Sequence, residues 1–577
     1  TIKKFDFWVN TKKEFDKEKI ITLFNHTLNI EELLLRKKLS KSKKYISIIR
    51  NIPENKANPI LEKIKFIKGL NVDHNLKRYY PYRQLGAQLI GYVDQSNEGK
   101  VGIEYKFNDF LEGTTGKVVF DKSASGRLHK SMTAKQPTIK NGKNIQLTID
   151  IEIQSILQNE LEKYFKKVNA KTANGIIINP SNGEILAMAT VPSFDPNSYS
   201  KFNVEYYKNR VIADLYEPGS TYKIVNIATA LNNKYSLKNK TFFCENGKYK
   251  LPNGKIIHDH EPHGDLSISE IFAFSSNIGI MKIADILGDE AIYKASRNFG
   301  FGVSSGIELS GEVNGKLRTV DKWSALSGKE ISIGQEIAVT TLQLANAFSV
   351  IANGGYLLKP KIIREQNRSN EKPTTPKVIR KVINEDVSKE LLTFLETTVN
   401  KGTGKNAYIP GFRVGGKTGT AEKFINGSYS KHEFISSFAA IFPVDNPEYV
   451  CIVSVDAPSY GYHWGNETAA PIVKNVFSRI INDKDFLHAE GNYLLNDSSI
   501  NEIDEHTITD NSQNKIPIKN QVPNFKGKTL KQAIIQARKS GIYINPIGTT
   551  GRVVWQSLPP GSLLTKNNIC KVKLEVL

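Results

Sequence analysis

Three short groupings in the sequence carry side chains able to make, hold and transfer an acyl group. Ser220 and Lys223 stand three residues apart, directly after Glu217-Pro218-Gly219. Ile224, Ile227, Ala228 and Leu231 then recur at helical spacing, which predicts Ser220 at the N-terminal end of a buried helix and Lys223 on the same face. A lysine amine whose pKa is lowered by burial can take the hydroxyl proton, and the free backbone N–H groups of a helix start favour developing negative charge. Ser275-Ser276-Asn277 follow Ser267-Ile268-Ser269-Glu270, a capping-box pattern that predicts a helix containing them. A hydroxyl there can relay a proton, and an amide can hold a substrate carbonyl. The third grouping, Gly416-Lys417-Thr418-Gly419-Thr420, precedes the turn pair Asn426-Gly427 and reads as a strand. Such a strand offers Lys417 and two hydroxyls to a carboxylate, and a backbone N–H that joins that of Ser220 as an oxyanion hole.

Single motifs of this kind are weak. Ser40 and Lys43 repeat the Ser-x-x-Lys spacing in a charged stretch with no apolar helix behind it, so no chemistry is expected there. Gly411 to Thr418 also satisfies the phosphate-loop pattern of Gly, four residues, Gly-Lys-Thr. That alternative requires an apolar strand ending at Gly411 and a helix opening at Lys417. Ile409-Pro410 before it and Gly419 after it argue against both. His258, His260 and His263, with Asp259 and Glu261 between, have ligand-like spacing for zinc, but Pro262 and Gly264 make the segment a loop. It is expected at the edge of a cleft, with no metal and no cofactor.

The elements that must carry these groups are legible in part. From Asn144 the texture changes: Ile145 to Ile149 alternates as a strand, and Ile151 to Tyr164 has a helical stripe. Gly175 to Asn179 and Glu184 to Ala189 flank Pro180-Ser181-Asn182-Gly183, which predicts a hairpin, and Phe434 to Phe442 with Tyr449 to Val455 predict another. Lys12 to Lys44 is a long charged segment and Lys117 to Phe120 is strand-like, so the N-terminal part reads as elongated α+β. From about Asp483 to Lys515 apolar content falls, as in a linker; a helix from Leu530 to Lys539, stopped by Gly541, and strands ending at Val576 then form a small α+β module.

At 577 residues the chain has room for about three to five units. Its 79 Lys+Arg against 58 Asp+Glu give a net charge of +21. The charge is spread along the chain with no arginine stripe interleaved with aromatics, so nucleic acid is not expected as a partner. Cys244, Cys451 and Cys570 lie too far apart for a close-spaced metal set.

The three groupings, in this order, resemble the active-site motifs of penicillin-binding proteins and serine β-lactamases. Tyr216 to Lys223, Gly415 to Ala421 and Thr148-Ile149-Asp150 are similar to the transpeptidase branch. Arg78-Tyr79-Tyr80-Pro81 and Gly99 to Glu104 resemble the pedestal of the class B, monofunctional members; Val522-Pro523-Asn524-Phe525, Gly551 to Val554 and Pro559-Pro560-Gly561 resemble a PASTA domain. The resemblance implies an N-terminal pedestal over 1–145, a transpeptidase domain over 146–482 with a serine β-lactamase-like fold (central antiparallel sheet plus helical subdomain), a linker over 483–516 and a PASTA module over 517–577. It implies a D,D-transpeptidase that cross-links peptidoglycan stem peptides through a Ser220 acyl-enzyme and is a target of β-lactams. A PASTA end points to the division type over the elongation type; a β-lactamase or β-lactam sensor is the nearest alternative.

In those roles Lys223 is the general base, Ser275 the relay and Asn277 a ligand of the acyl amide. Lys417, Thr418 and Thr420 serve the carboxylate and oxyanion side, and Ser276 and Gly419 are placed with the binding residues. The same resemblance implies a membrane glycosyltransferase and division proteins as partners. It also implies an inner-membrane anchor upstream of Thr1, with the catalytic domain on the periplasmic side. Residues 463 to 471 match the family's late helix start only loosely.

Overall fold

The computed structural model describes residues 1–113, 120–122, 128–130, 141–233, 237–251, 254–364, 376–425, 427–483, 521–528, 530–540, 542–547, 552–563 and 569–575. Lys117 to Val119, Asn426, Gly541, Gly551, Val576 and the linker beyond Asp483 fall outside them. The chain divides into two compact units, one of residues 1–82 with 485–577 and one of 83–484.

In the first unit, strands Ile2–Asn10, Tyr45–Pro53 and Leu70–Lys77 form an antiparallel sheet with Ile2–Asn10 in the centre. Helices Lys17–Leu28 and Glu54–Lys63 supply the other half of its core, where Phe7, Val9, Ile20, Phe24 and Ile60 are fully buried. The C-terminal module is a three-stranded sheet in the order Tyr543–Ile547, Ile569–Glu575, Arg552–Gln556, with the helix Leu530–Lys539. Phe525, Ala533, Cys570 and Val572 make its core.

The second unit holds all three chemical groupings. The elements that build its sheet and carry the groupings are α1 (Ile151–Lys167), β1 (Thr172–Ile178), β2 (Ile185–Val191), α2 (Lys223–Asn233), α3 (Ile268–Ala273), α4 (Asn277–Leu287), α5 (Thr341–Ala352), α6 (Glu385–Asn400), β3 (Gly415–Ile425), β4 (Ser428–Phe442), β5 (Tyr449–Asp456) and α7 (Ala469–Asp483). The central sheet runs β3-β4-β5-β1-β2 with every pairing antiparallel. Both predicted hairpins are present as β1–β2 and β4–β5. All seven residues of β1 are buried, on both sides of the pleat, which requires helices on both faces. Helices α1 and α7 pack on each other and on the sheet, as does α5.

Residues 83–113, grouped by their sequence texture with the N-terminal region, lie in this unit. Arg83 pairs with Asp195 at 3.0 Å, Gln158 receives a hydrogen bond from the Gly86 N–H at 3.0 Å, and Leu89 and Ile103 join the main core. α2 is buried all round from Lys223 to Leu231, polar Asn226 and Thr229 included, as in a helix enclosed by its neighbours.

Ser267 caps α3 as its sequence predicts. Its hydroxyl accepts from the Glu270 N–H, and the Glu270 carboxylate accepts from the Ser267 N–H at 2.9 Å. The helix ends at Ala273, however, so Ser275 to Asn277 are not inside it. Ser275 and Ser276 lie in the break, and Asn277 opens α4. Because the bond from the Glu270 N–H and the hydroxyl's own bond to the Glu270 carboxylate go with the hydroxyl, Ser267→Ala is expected to destabilise this unit by about 1 kcal/mol, read from its urea unfolding midpoint, while Ser267→Thr leaves it nearly unchanged.

Candidate active site

Ser220 sits in a single 3-10 turn, Gly219–Tyr222, that feeds directly into α2. With about three residues per turn, positions i and i+3 eclipse, so Ser220 and Lys223 stack more directly than in an α-helix. The turn is held by close backbone approach. Gly219 has φ +54° and donates its N–H to the Gly334 carbonyl at 3.1 Å; Gly334 has φ +84°, and a Cβ on it would lie 2.1 Å from the Gly219 carbonyl oxygen. A Cβ on Gly219 would lie 2.8 Å from the Thr420 carbonyl oxygen, so the turn also abuts β3.

Lys223 is fully buried, and all three hydrogen bonds of its amine go to the α3–α4 break: the Ser275 carbonyl at 2.6 Å, the Ser275 hydroxyl at 3.2 Å and Asn277 Oδ1 at 2.7 Å. Burial lowers its pKa to about 7, partly opposed by the negative charge of Asp259. The Lys417 amine, equally buried, donates to the same Ser275 hydroxyl at 2.9 Å and lies 5.7 Å above the Phe272 ring. Burial, then the Lys223 charge, hold its pKa well below the usual lysine range. With Oγ of Ser275 accepting from two amines, its own proton is left to point elsewhere, the disposition a proton relay needs. Ser275 reaches this position at φ +60°, a left-handed conformation that a non-glycine residue adopts only under constraint.

Asp259 supplies much of that constraint. Its Oδ1 accepts from the backbone N–H groups of Asn277 at 2.6 Å and Ile278 at 3.0 Å, and its Oδ2 from the Ser276 hydroxyl at 2.5 Å. By sequence alone Asp259 is only a member of a histidine-rich loop. No motif spacing marks a carboxylate that caps a helix 18 residues later. Ser276 is the N-cap of α4, buried and bonded to Gly279 N–H at 2.9 Å, and does not line the cleft, so its expected contact with substrate is replaced by a capping role.

Lys417 and Thr418 lie within β3, opposite Ala439 and Phe438 of β4. No helix opens at Lys417 and its amine is engaged with Ser275, so the phosphate-loop alternative is excluded. Thr418 Oγ1 is 3.0 Å from Thr403 Oγ1, and Thr420 Oγ1 accepts from the Gly465 N–H at 3.1 Å. Gly419 packs tightly, since a Cβ there would meet Ser437 Oγ at 2.3 Å and the Pro218 carbonyl at 2.8 Å.

Ser220, Ser275, Asn277, Thr418 and Thr420 line one cleft of about 680 Å³. Its far wall comes from residues the motifs do not cover: Lys401, Thr403, Lys405, Trp464, Asn466 and Glu467. The loosely matching stretch 463 to 471 is thus the cleft edge, with α7 starting at Ala469. His260 and Glu261 stand at the rim, His260 edge-on to Trp464 with ring centres 5.0 Å apart. Among the described residues no cluster of three or more His, Cys, Asp or Glu is arranged to hold a metal ion.

The model of the penicillin binding protein transpeptidase domain matches residues 174–478, more than half of the chain. The chain belongs to this penicillin-binding protein family. The penicillin-binding protein dimerisation domain matches residues 2–147 and the PASTA domain residues 520–576. The Peptidoglycan D,D-transpeptidase FtsI homolog of Mesostigma viride is 32% identical over 485 residues, 79% of this chain and 81% of that protein. Stage V sporulation protein D of Bacillus subtilis is 33% identical over 459 residues, covering 78% and 71%. Among solved structures, penicillin binding protein 3 of Mycobacterium tuberculosis, complexed with aztreonam, superposes with a TM-score of 0.63 at 26% identity, covering 72% of this chain and 92% of that one. The antiparallel sheet, helical subdomain, dimerisation domain and PASTA module expected from the sequence are the architecture of this family.

The pKa of Lys223 makes a test of its assignment as proton acceptor. The amine accepts a proton only when neutral, so acylation of this penicillin-binding protein by penicillin should rise with pH through about 7 and level off above it. Asp259→Asn removes the charge that raises the Lys223 pKa, so the inflection should move to lower pH; stopped-flow acylation rates across pH 5 to 9, roughly the range over which both forms populate, measure both effects.

Proposed function

We propose that this chain is a peptidoglycan D,D-transpeptidase of the septal type, cross-linking stem peptides through an acyl-enzyme at Ser220. The observation that carries the reading is one cleft lined by Ser220, Ser275, Asn277, Thr418 and Thr420, with the buried amines of Lys223 and Lys417 hydrogen-bonded to Ser275 and that of Lys223 also to Asn277.

Ser220 Oγ attacks the carbonyl of the penultimate D-alanine. Its proton passes through Lys223 and Ser275 to the departing amine; the Ser220 C–O ester bond forms and the peptide C–N bond breaks, releasing the terminal D-alanine. An amine of a neighbouring stem then attacks the ester and returns the proton to Ser220. Asn277 holds the acyl amide, Thr418 and Thr420 with Lys417 receive the carboxylate, and backbone N–H groups at Ser220 and on β3 stabilise the oxyanion, an interaction that removal of one donor commonly weakens by a factor on the order of 10²–10³. Ser276 acts through α4 and not on substrate.

In this reading 1–145 is the pedestal, 146–482 the catalytic domain, 483–516 a linker and 517–577 the PASTA module. β-Lactams acylate Ser220 because they resemble the donor. The enzyme works on the periplasmic face of the inner membrane beside a glycosyltransferase and other division proteins. Among the described residues no helix is long and apolar enough to cross a membrane. Incubation with a fluorescent penicillin should give a stable covalent adduct by intact mass, absent in Ser220→Ala. An adduct that forms and vanishes within seconds would mark a hydrolase instead.

A further inference from the structure

Glu217, three residues before Ser220, touches neither Lys223 nor Lys417, yet it is the junction of three segments around the cleft. Its Oε1 accepts from the backbone N–H of Glu336 at 2.9 Å and from the Tyr429 hydroxyl at 3.1 Å. The Glu336 bond reaches the loop that contains Gly334, whose carbonyl holds the Gly219 N–H, and Ile333 and Gln335 of that loop line the cleft. Tyr429 stands near the tip of the β3–β4 hairpin, edge-on to Phe424. Glu336 itself has φ +56°, so its N–H is held in an unfavourable backbone conformation by the bond to Glu217. We propose that Glu217 is a positioning residue for acyl transfer: its Oε1 ties the Gly334–Glu336 loop and Tyr429 to the turn that carries Ser220.

The environment asks for an oxygen acceptor at this position. Oε2 of Glu217 is buried and has no hydrogen-bond partner among the described residues. The charged groups facing it are acidic: Glu336, engaged with Arg318 and Ser327, and Glu330, engaged with Lys255, while Tyr429 donates its proton. Burial, then these two carboxylates, raise the Glu217 pKa, although hydrogen bonds from Glu336 N–H and Tyr429 pull the other way. Oε1 accepts from two donors, and a glutamine presents an oxygen to the same two donors in the same place. Alanine presents none, and aspartate falls one methylene short.

The proposal rests on Ser220 being the acylated residue, and the test separates the two. Stopped-flow acylation by a chromogenic cephalosporin resolves the binding constant from the acylation rate constant, with unfolding temperature followed alongside. Glu217→Ala should slow acylation by about tenfold or more with little change in binding, because the nucleophile turn is misplaced. Glu217→Gln should recover the rate to within about threefold of the unaltered chain. Tyr429→Phe, which removes one of the two donors at an exposed position, should slow acylation by about two- to fivefold and keeps the test decisive if Glu217→Ala does not fold. A folded Glu217→Ala at the full rate, equal loss in the Gln and Ala variants, or an unaffected Tyr429→Phe would each overturn the positioning role. No acylation of the unaltered chain would instead overturn the Ser220 reading on which it stands.

Discussion

The whole arrangement depends on keeping the Lys223 amine dry without leaving it unsatisfied. A buried ammonium with no partner costs on the order of several kcal/mol, and a neutral amine still needs its N–H groups met. Two carbonyl-type oxygens and one hydroxyl meet them here, all from one helix break. None of the three is charged. A carboxylate in their place would hold the proton on the lysine and raise its pKa, which defeats its use as a base near neutral pH. Asp259 is kept at one remove, capping α4, close enough to moderate the effect of burial and too engaged with backbone N–H groups to take the amine directly.

That solution dictates much of the surrounding backbone. The break must put Ser275 into a left-handed conformation so that both its carbonyl and hydroxyl face α2, and a second amine, Lys417, must arrive from the sheet on the same oxygen. Two lysines on one hydroxyl repel when both are charged, so protonation of one disfavours protonation of the other. Bringing β3 this near to the Ser220 turn leaves no space for a side chain at Gly419 or at Gly219, whose Cβ atoms would run into neighbouring backbone oxygens. The glycines flanking the motifs are therefore part of the chemistry, because they set how closely strand, turn and loop approach.

Residue types and local periodicity reveal the groups whose signals are short-range. The apolar stripe behind Ser220, the capping box at Ser267, and the hairpins around Asn182-Gly183 and Asp445-Pro447 each depend on neighbours within a few positions. Context also separated the strand at Lys417 from a phosphate loop, since the Gly419 and turn residues that follow suit a hairpin and not a helix start. The same local logic failed at Ser275: a capping box says where a helix begins and nothing about where it stops, so the break that defines the cluster was read as helix interior.

The contacts that escaped the sequence share one property, a partner far away along the chain. Asp259 reaches Asn277 across 18 positions, Gly465 meets Thr420 across 45, and Glu217 meets Glu336 across 119 and Tyr429 across 212. Closing such distances costs loop entropy that grows only slowly with separation, so the folded state can use them freely, whereas no periodic pattern announces them. Motifs thus name the atoms that react, and the tertiary fold decides how those atoms are aimed. In this site the aiming falls to side chains beside the motifs: a helix-capping aspartate between two histidines, and a glutamate three residues ahead of the serine.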